Sequence, residues 1–283
     1  FLVPPEEFRT EMIKEMADLN IIRQKARVLP PLRGAHSLGF PTRTSAMTGG
    51  AWGTEISTAP TATSSAYGKR EFKPNPYTAL DKISETLIRN LPSADSLVRA
   101  DFAEHFASAL ETVYMTGHGA GQPLGLFTAS ADGINTDRDV STGNTATEIK
   151  FDGLYEAKYA VKAGYQPACE WYFHRDAVKQ LAKLKDSNGQ YVWQPSVVLG
   201  APDMLLGKPV NMSEYIPHTF TAGLYVGLYG DMKYYWIVDS LLFQIKVLAE
   251  LYAETNQIGY IGRLETDGAP VLSAAFARVK LGA

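Results

Sequence analysis

The sequence is short of cysteine. Cys169 is the single one among 283 residues, so no internal disulfide framework and no cysteine-built zinc site can form. A lone thiol fits a reducing compartment, and its setting in PACEWYF reads as an apolar strand. There a thiol is a small buried side chain rather than a nucleophile. Nor is there a surplus of positive charge: 27 Lys and Arg stand against 30 Asp and Glu, a formal net charge of -3. Dedicated nucleic-acid binders draw their affinity from many cations on phosphates, which argues against that class. Long apolar runs are missing too. The most apolar region, Leu224 to Leu251, is broken by Asp231, Lys233, Asp239 and Lys246, leaving no stretch of about 18 uncharged apolar residues to cross a bilayer. No membrane partner is expected.

Catalytic and metal motifs are equally absent. The five histidines, His36, His105, His118, His174 and His218, include no His-Glu-x-x-His and no pair at metal-motif spacing. No Gly-x-Ser-x-Gly elbow exists. The expectation is a protein that is not an enzyme, with no catalytic residue, no metal and no cofactor.

What the sequence has in quantity is pattern. Its length suits one large domain or two ordinary ones and allows a sizeable core. Phe8, Met12, Ile13, Met16, Leu19 and Ile22 recur at helical spacing between Glu6 and Ile22, and Pro30-Pro31 stops whatever precedes them. The chain opens FLVPPEEF, with neither initiator Met nor signal-peptide pattern; trimming or cleavage of a longer precursor is expected. Residues 42–72 hold eleven Ser or Thr in 31 positions. They read either as a flexible linker or as an extended β-hairpin, with Ile56, Tyr67 and Phe72 flanking a tip of small residues. A two-stranded hairpin is marginal alone in water, so an ordered one needs a cover.

Leu80, Ile83, Leu87 and Ile88 predict a helical face over Tyr77 to Asn90. Leu91-Pro92 ends it, and Ser93 is a good N-cap for the clearest element of the chain. There Leu97, Val98, Phe102, Phe106, Ala109, Leu110, Val113 and Tyr114 form one stripe, while Arg99, Asp101, Glu104, His105 and Glu111 lie elsewhere. Stopped by Gly117, this helix runs about 23 residues, roughly 35 Å. Shorter helices are predicted over 151–164 and over Asp176 to Leu184, with a turn at Ser187-Asn-Gly189. The last third is strand-like at Leu224–Tyr229, Lys233–Val238, Leu242–Leu248, Gln257–Glu265 and Pro270–Leu281. Helices early and strands late make an α+β chain.

MTGHGAGQPLGLF, Met115 to Phe127, has the composition of a phosphate cradle. It fails as one. Such loops open a helix and carry Gly-Lys-Ser/Thr; this one follows a helix C-terminus, whose partial charge is negative, and no Lys or Arg occurs between Arg99 and Arg138. Its residues are structural: Gly117, Gly119, Gly121 and Gly125 permit unusual backbone angles, Pro123 stiffens the exit, and the whole forms a hinge after the long helix.

Four features together resemble the major capsid proteins of tailed bacteriophages, with the Hong Kong 97-type fold. They are the opening FLVPPEEF with its helix; AWGTE at 51–55, similar to the family's Trp-x-x-Glu loop pattern; the long helix ending in GHGAGQPLGLF; and the closing segments LGKPV, LYGDMKYYWIVD and GRLETDGAPVLSAAFARVKL. The resemblance implies an N-terminal arm at 1–40, an extended loop at 41–76 and a peripheral domain at 77–118 and 224–265 containing the spine helix. It implies an axial domain at 119–223 and 266–283. It also places Trp52, Glu55, Tyr67 and Phe72 on the extended loop, as inter-subunit residues. The loop covers a neighbouring subunit, and head-to-tail contacts close into rings.

By the same resemblance the chain self-assembles through hexamers and pentamers into an icosahedral shell, in the virion, after assembly in the host bacterial cytoplasm. It encloses double-stranded DNA without sequence-specific binding, and its slight acidity suits that role. A portal and a maturation protease are implied partners; scaffold and decoration proteins are further candidates. Some family members weld subunits through a loop Lys and an Asn. Lys69 and Asn256 are the candidate pair, with Glu254 or Glu265 as the base, against the alternative of plain surface residues. The same fold also builds encapsulin compartments, and a cytosolic α+β enzyme with His118 in a glycine loop is the rival from another class.

Overall fold

A computed structural model describes residues 20–32, 36–49, 52, 64–90, 94–186, 188–193 and 203–282. The helix expected over 6–22 lies almost wholly outside them, as do Ser93, Glu55 and Ile56. In chain order the elements begin with α1 (Ile21–Lys25), β1 (Arg27–Val28), β2 (Leu38–Ser45), β3 (Ala66–Phe72), β4 (Asn75–Ser84), α2 (Glu85–Asn90) and α3 (Ala94–Thr116). They continue with β5 (Asp139–Val140), α4 (Phe151–Ala160), β6 (Glu170–Phe173), α5 (Arg175–Ala182), β7 (Met204–Leu205), β8 (Lys208–Met212) and β9 (Tyr225–Gly230). The chain closes with β10 (Tyr235–Leu248), β11 (Gln257–Pro270) and β12 (Phe276–Lys280).

The long helix appears as the sequence predicts, at 23 residues. Its Val98, Phe102 and Phe106 pack against Tyr260 and Leu264 of β11 and against Tyr77, Ala79 and Ile83 of β4. Glu111 departs from expectation. It is fully buried, and its carboxylate accepts the Ile22 N–H at 3.3 Å.

Residues 77–84 are strand, not helix. The apolar spacing of Leu80, Ile83 and Leu87 imitates a helical face, but Tyr77, Ala79 and Ile83 alternate toward α3 while Leu80 stays exposed. Ten residues of β4 pair antiparallel with β11, and that ladder outweighs the weak local preference. Only Glu85–Asn90 is helical.

A four-stranded sheet has the order β1-β10-β11-β4 and a six-stranded sheet the order β5-β12-β9-β6-β8-β7. The two segments expected as separate strands at 233–238 and 242–248 form one strand, β10, with irregular register between Asp239 and Gln244. Strand β9 was expected with the long helix but lies in the six-stranded sheet, and Thr266–Pro270 lies in the four-stranded one. The sheets therefore exchange chain near Asp231 and Val271, not at 224 and 266. α4 and α5 cover the six-stranded sheet over Trp171, Phe173, Val226, Tyr229 and Val279. A second core joins the last turn of α3 to both sheets through Tyr114, Met115, Leu126, Leu228, Tyr235 and Phe276.

Candidate assembly site

The glycine stretch folds back on the helix it ends. The last carbonyls of a helix lack intrahelical partners; here Tyr114, Met115 and Gly117 give theirs to the N–H groups of Leu126, Phe127 and Gly125 at 3.0, 2.8 and 2.8 Å. The return is so close that a Cβ on Gly125 would stand 2.5 Å from the Gly117 nitrogen and 2.6 Å from the Met115 oxygen. Gly119 has φ +80°, a region other residues resist. The buried Leu124 carbonyl accepts the Tyr235 hydroxyl at 2.9 Å, and the Leu124 N–H donates to Gly268 at 2.7 Å. His118 is exposed, its Nδ1 accepting the Ala120 N–H at 3.1 Å. The N–H groups of Gly117, Leu124, Gly125, Leu126 and Phe127 all go to backbone carbonyls.

Strands β2 and β3 pair antiparallel as a separate two-stranded sheet, so the hairpin alternative holds for 38–45 and 66–72. Its base is anchored: Phe72 is 1% exposed and, with Phe40 and Leu38, packs on Trp236 and Val238. Trp52 is fully exposed and Tyr67 73% exposed. Beneath the base lies a polar cavity of about 360 Å³ lined by Arg70, Glu71, His118, Asp132 and Asp267. Burial pushes the Arg70 guanidinium below and the Asp267 carboxyl above their ordinary values.

Lys69 is largely exposed, 3.7 Å from Glu71. Asn256 is exposed at the other end of the four-stranded sheet, in a left-handed conformation at the start of β11, beside Glu254. Within one chain Lys69 and Asn256 therefore sit on separate elements. That end of the sheet also exposes Leu242, Phe243, Val247 and Leu251.

Sequence reasoning missed a clamp made by α1. Arg23 pairs with Asp239, which is 2% exposed and also accepts the Thr266 hydroxyl at 2.8 Å; the Thr266 hydroxyl in turn lies 3.2 Å from that of Tyr114. Burial pushes the Tyr114 hydroxyl up to about 12. Two residues on, Lys25 pairs with Glu170, whose Oε2 also accepts from Tyr172 at 3.0 Å and Asn211 at 2.8 Å. Burial alone would raise the Glu170 carboxyl, but these three donors outweigh it and hold it below its ordinary value. One short helix thus binds the four-stranded sheet through Arg23 and the six-stranded sheet through Lys25. Cys169 is buried with its thiol pushed up to about 12 by burial, in keeping with an inert side chain.

The geometry thus comprises a tight glycine turn closing on the helix it follows, a hairpin anchored at Phe72 and a short helix tied to both sheets. The profile of the phage capsid family matches residues 1–281. The chain belongs to the phage capsid family.

Among solved structures, the capsid of a native GTA particle computed with C5 symmetry aligns at TM-score 0.84 and 21% identity, covering 100% of this chain and 96% of that one. Chains of Microbacterium phage Oxtober96 (TM-score 0.72, 14% identity, 97% and 95% covered) and Gordonia phage Cozz (0.68, 16%, 99% and 91%) share the fold. Comparison with curated proteins gives no match. Membership makes the chain a capsid protein with a Hong Kong 97-like α+β fold.

Proposed function

We infer that the chain is the major capsid protein of a tailed phage and that it assembles with itself, as hexamers and pentamers, into the icosahedral head shell that encloses double-stranded DNA. The observation that carries this reading is the family match over residues 1–281 together with a hairpin anchored at Phe72 and bare at Trp52 and Tyr67. In such a shell every copy has a neighbour that can cover those rings.

In this reading α3 with the four-stranded sheet is the peripheral domain and the six-stranded sheet with α4 and α5 is the axial domain. Residues 1–40 form the arm and residues 41–76 the extended loop. The role is structural and non-catalytic. A portal and a maturation protease are the partners this role calls for, with scaffold or decoration proteins as further ones. The net charge of -3 suits a container wall that does not hold its cargo by counterion release.

The content of particles from producing cells tests the reading. Nuclease-protected double-stranded DNA is expected inside them; particles holding a folded protein cargo and no DNA would overturn it in favour of an encapsulin-type compartment.

A further inference from the structure

Strands β6 and β8 are parallel neighbours, with Phe173 paired to Met212 and the Ser213 N–H bonded to the Phe173 carbonyl at 3.1 Å. Their carboxyl ends therefore leave the six-stranded sheet side by side. One delivers His174 and Asp176 to the start of α5, and the other delivers Glu214 and His218 to the following loop. Forty-odd residues apart along the chain, the rings of His174 and His218 stack with centroids 4.2 Å apart and planes 18° from parallel.

The contacts of His174 fix the tautomer of its neutral ring. The ring is 3% exposed; its Nδ1 accepts the Asp176 N–H at 3.1 Å, so Nε2 carries the proton and donates to Glu214 Oε2 at 2.9 Å. Arg175 Nε holds the same Glu214 oxygen at 3.2 Å. The same Nδ1 lies 3.3 Å from an Asp176 carboxylate oxygen. Two electron-rich atoms face each other there, and a ring nitrogen of His218 stands nearby: one ligand atom from each of His174, Asp176 and His218 falls within 4.8 Å of the others. A cation relieves that repulsion.

We propose that His174, His218 and Asp176 form a binding site for a divalent transition-metal ion of the zinc or cobalt class. Two imidazoles and one carboxylate are the donor set such ions favour, whereas magnesium and calcium take oxygen ligands. Glu214 is the outer carboxylate that accepts the ligand imidazole's other N–H and fixes its tautomer, an arrangement metal-binding histidines nearly always show. Tetrahedral bonds of about 2.0–2.1 Å require the three donors to draw together from their present spacing. His218 and Asp176 lie on or near the surface and supply that movement, while buried His174 stays fixed. Nδ1 gives up its bond to the Asp176 N–H on metal entry, so the affinity is below that of a preformed four-ligand site. A bound ion ties the 213–224 loop to α5 and so stiffens one edge of the six-stranded sheet.

The test uses tag-free, full-length protein in its assembled state, stripped with chelator and titrated with cobalt(II). One cobalt per chain is expected, with the absorption of a tetrahedral site, displaced by zinc(II) and not by magnesium. Zinc is expected to raise the melting temperature of the unmodified protein. His174→Ala could fail to fold, so the variants are His218→Ala and Asp176→Asn, whose side chains are solvent-accessible. Each should weaken cobalt binding at least tenfold and lose the zinc-dependent rise while melting normally without metal. Absence of saturable cobalt absorption, or binding unchanged in both variants, would overturn the proposal.

Discussion

The Gly125 N–H donates to the Gly117 carbonyl at 2.8 Å, across a turn in which neither residue has room for a Cβ. At Gly125 the obstructing atoms are backbone, which cannot step aside as a flexible side chain would. Gly125→Ala is therefore expected to cost about 3 kcal/mol, the upper end of overpacking penalties. Gly119→Val, at a left-handed position with more space, should cost about 1–2 kcal/mol. Urea denaturation of the two variants checks both the size and the order of the effects; equal, negligible losses would show that the turn tolerates side chains.

The Arg23–Asp239 pair makes a second prediction. Removing one partner of a buried pair leaves an uncompensated charge, a loss of about 3–5 kcal/mol. Arg23→Ala should therefore destabilise strongly and expose α1 to protease, because it strands the buried Asp239 carboxylate. Asp239→Ala should do so less, because the Arg23 guanidinium it leaves is partly exposed. The double variant should lose less than the sum of the two. A double-mutant cycle by chemical denaturation reads the coupling directly.

Glu170 gives the clamp a pH dependence. Its carboxyl, held below the ordinary 4.5 by Lys25, Asn211 and Tyr172 against the opposing effect of burial, resists protonation in the folded state. Its contribution is complete above about pH 4.5 and is lost as pH falls through the lower folded value. Glu170→Gln lacks it at every pH. Denaturation midpoints of the two proteins should separate at neutral pH and converge in acid; parallel curves would remove Glu170 from the clamp.

How far the sequence revealed these features depends on how far apart their parts lie. The α3 stripe from Leu97 to Tyr114 is local, and it is legible because eight apolar residues repeat one spacing. The glycine turn is legible for the same reason, its four glycines falling within nine residues. Tyr77–Ser84 misled because Leu80, Ile83 and Leu87 carry helical spacing, while the partner that decides for a strand, β11, lies about 180 residues away. Glu111 looked like a surface residue because nothing nearby announces its partner, the Ile22 amide 89 residues upstream. The α1 clamp and the His174–His218 stack exist only once long-range strand pairing is in place, and no local spacing encodes them.

The hairpin yields a prediction that separates fold from assembly. Its base packs through Leu38, Phe40 and Phe72, whereas the core beneath α3 uses other residues. Deleting 46–65 and joining Ser45 to Ala66 by a short turn should leave circular dichroism and the unfolding midpoint nearly unchanged while preventing stable shells. Normal particles from this variant would mean that the loop does not bind neighbouring subunits.

The most direct measurement is electron microscopy of the purified full-length protein over a range of salt and protein concentrations. Closed shells, or rings of five and six copies, are the expected result. A monodisperse monomer under every condition would contradict the assignment of this chain as a self-assembling capsid subunit.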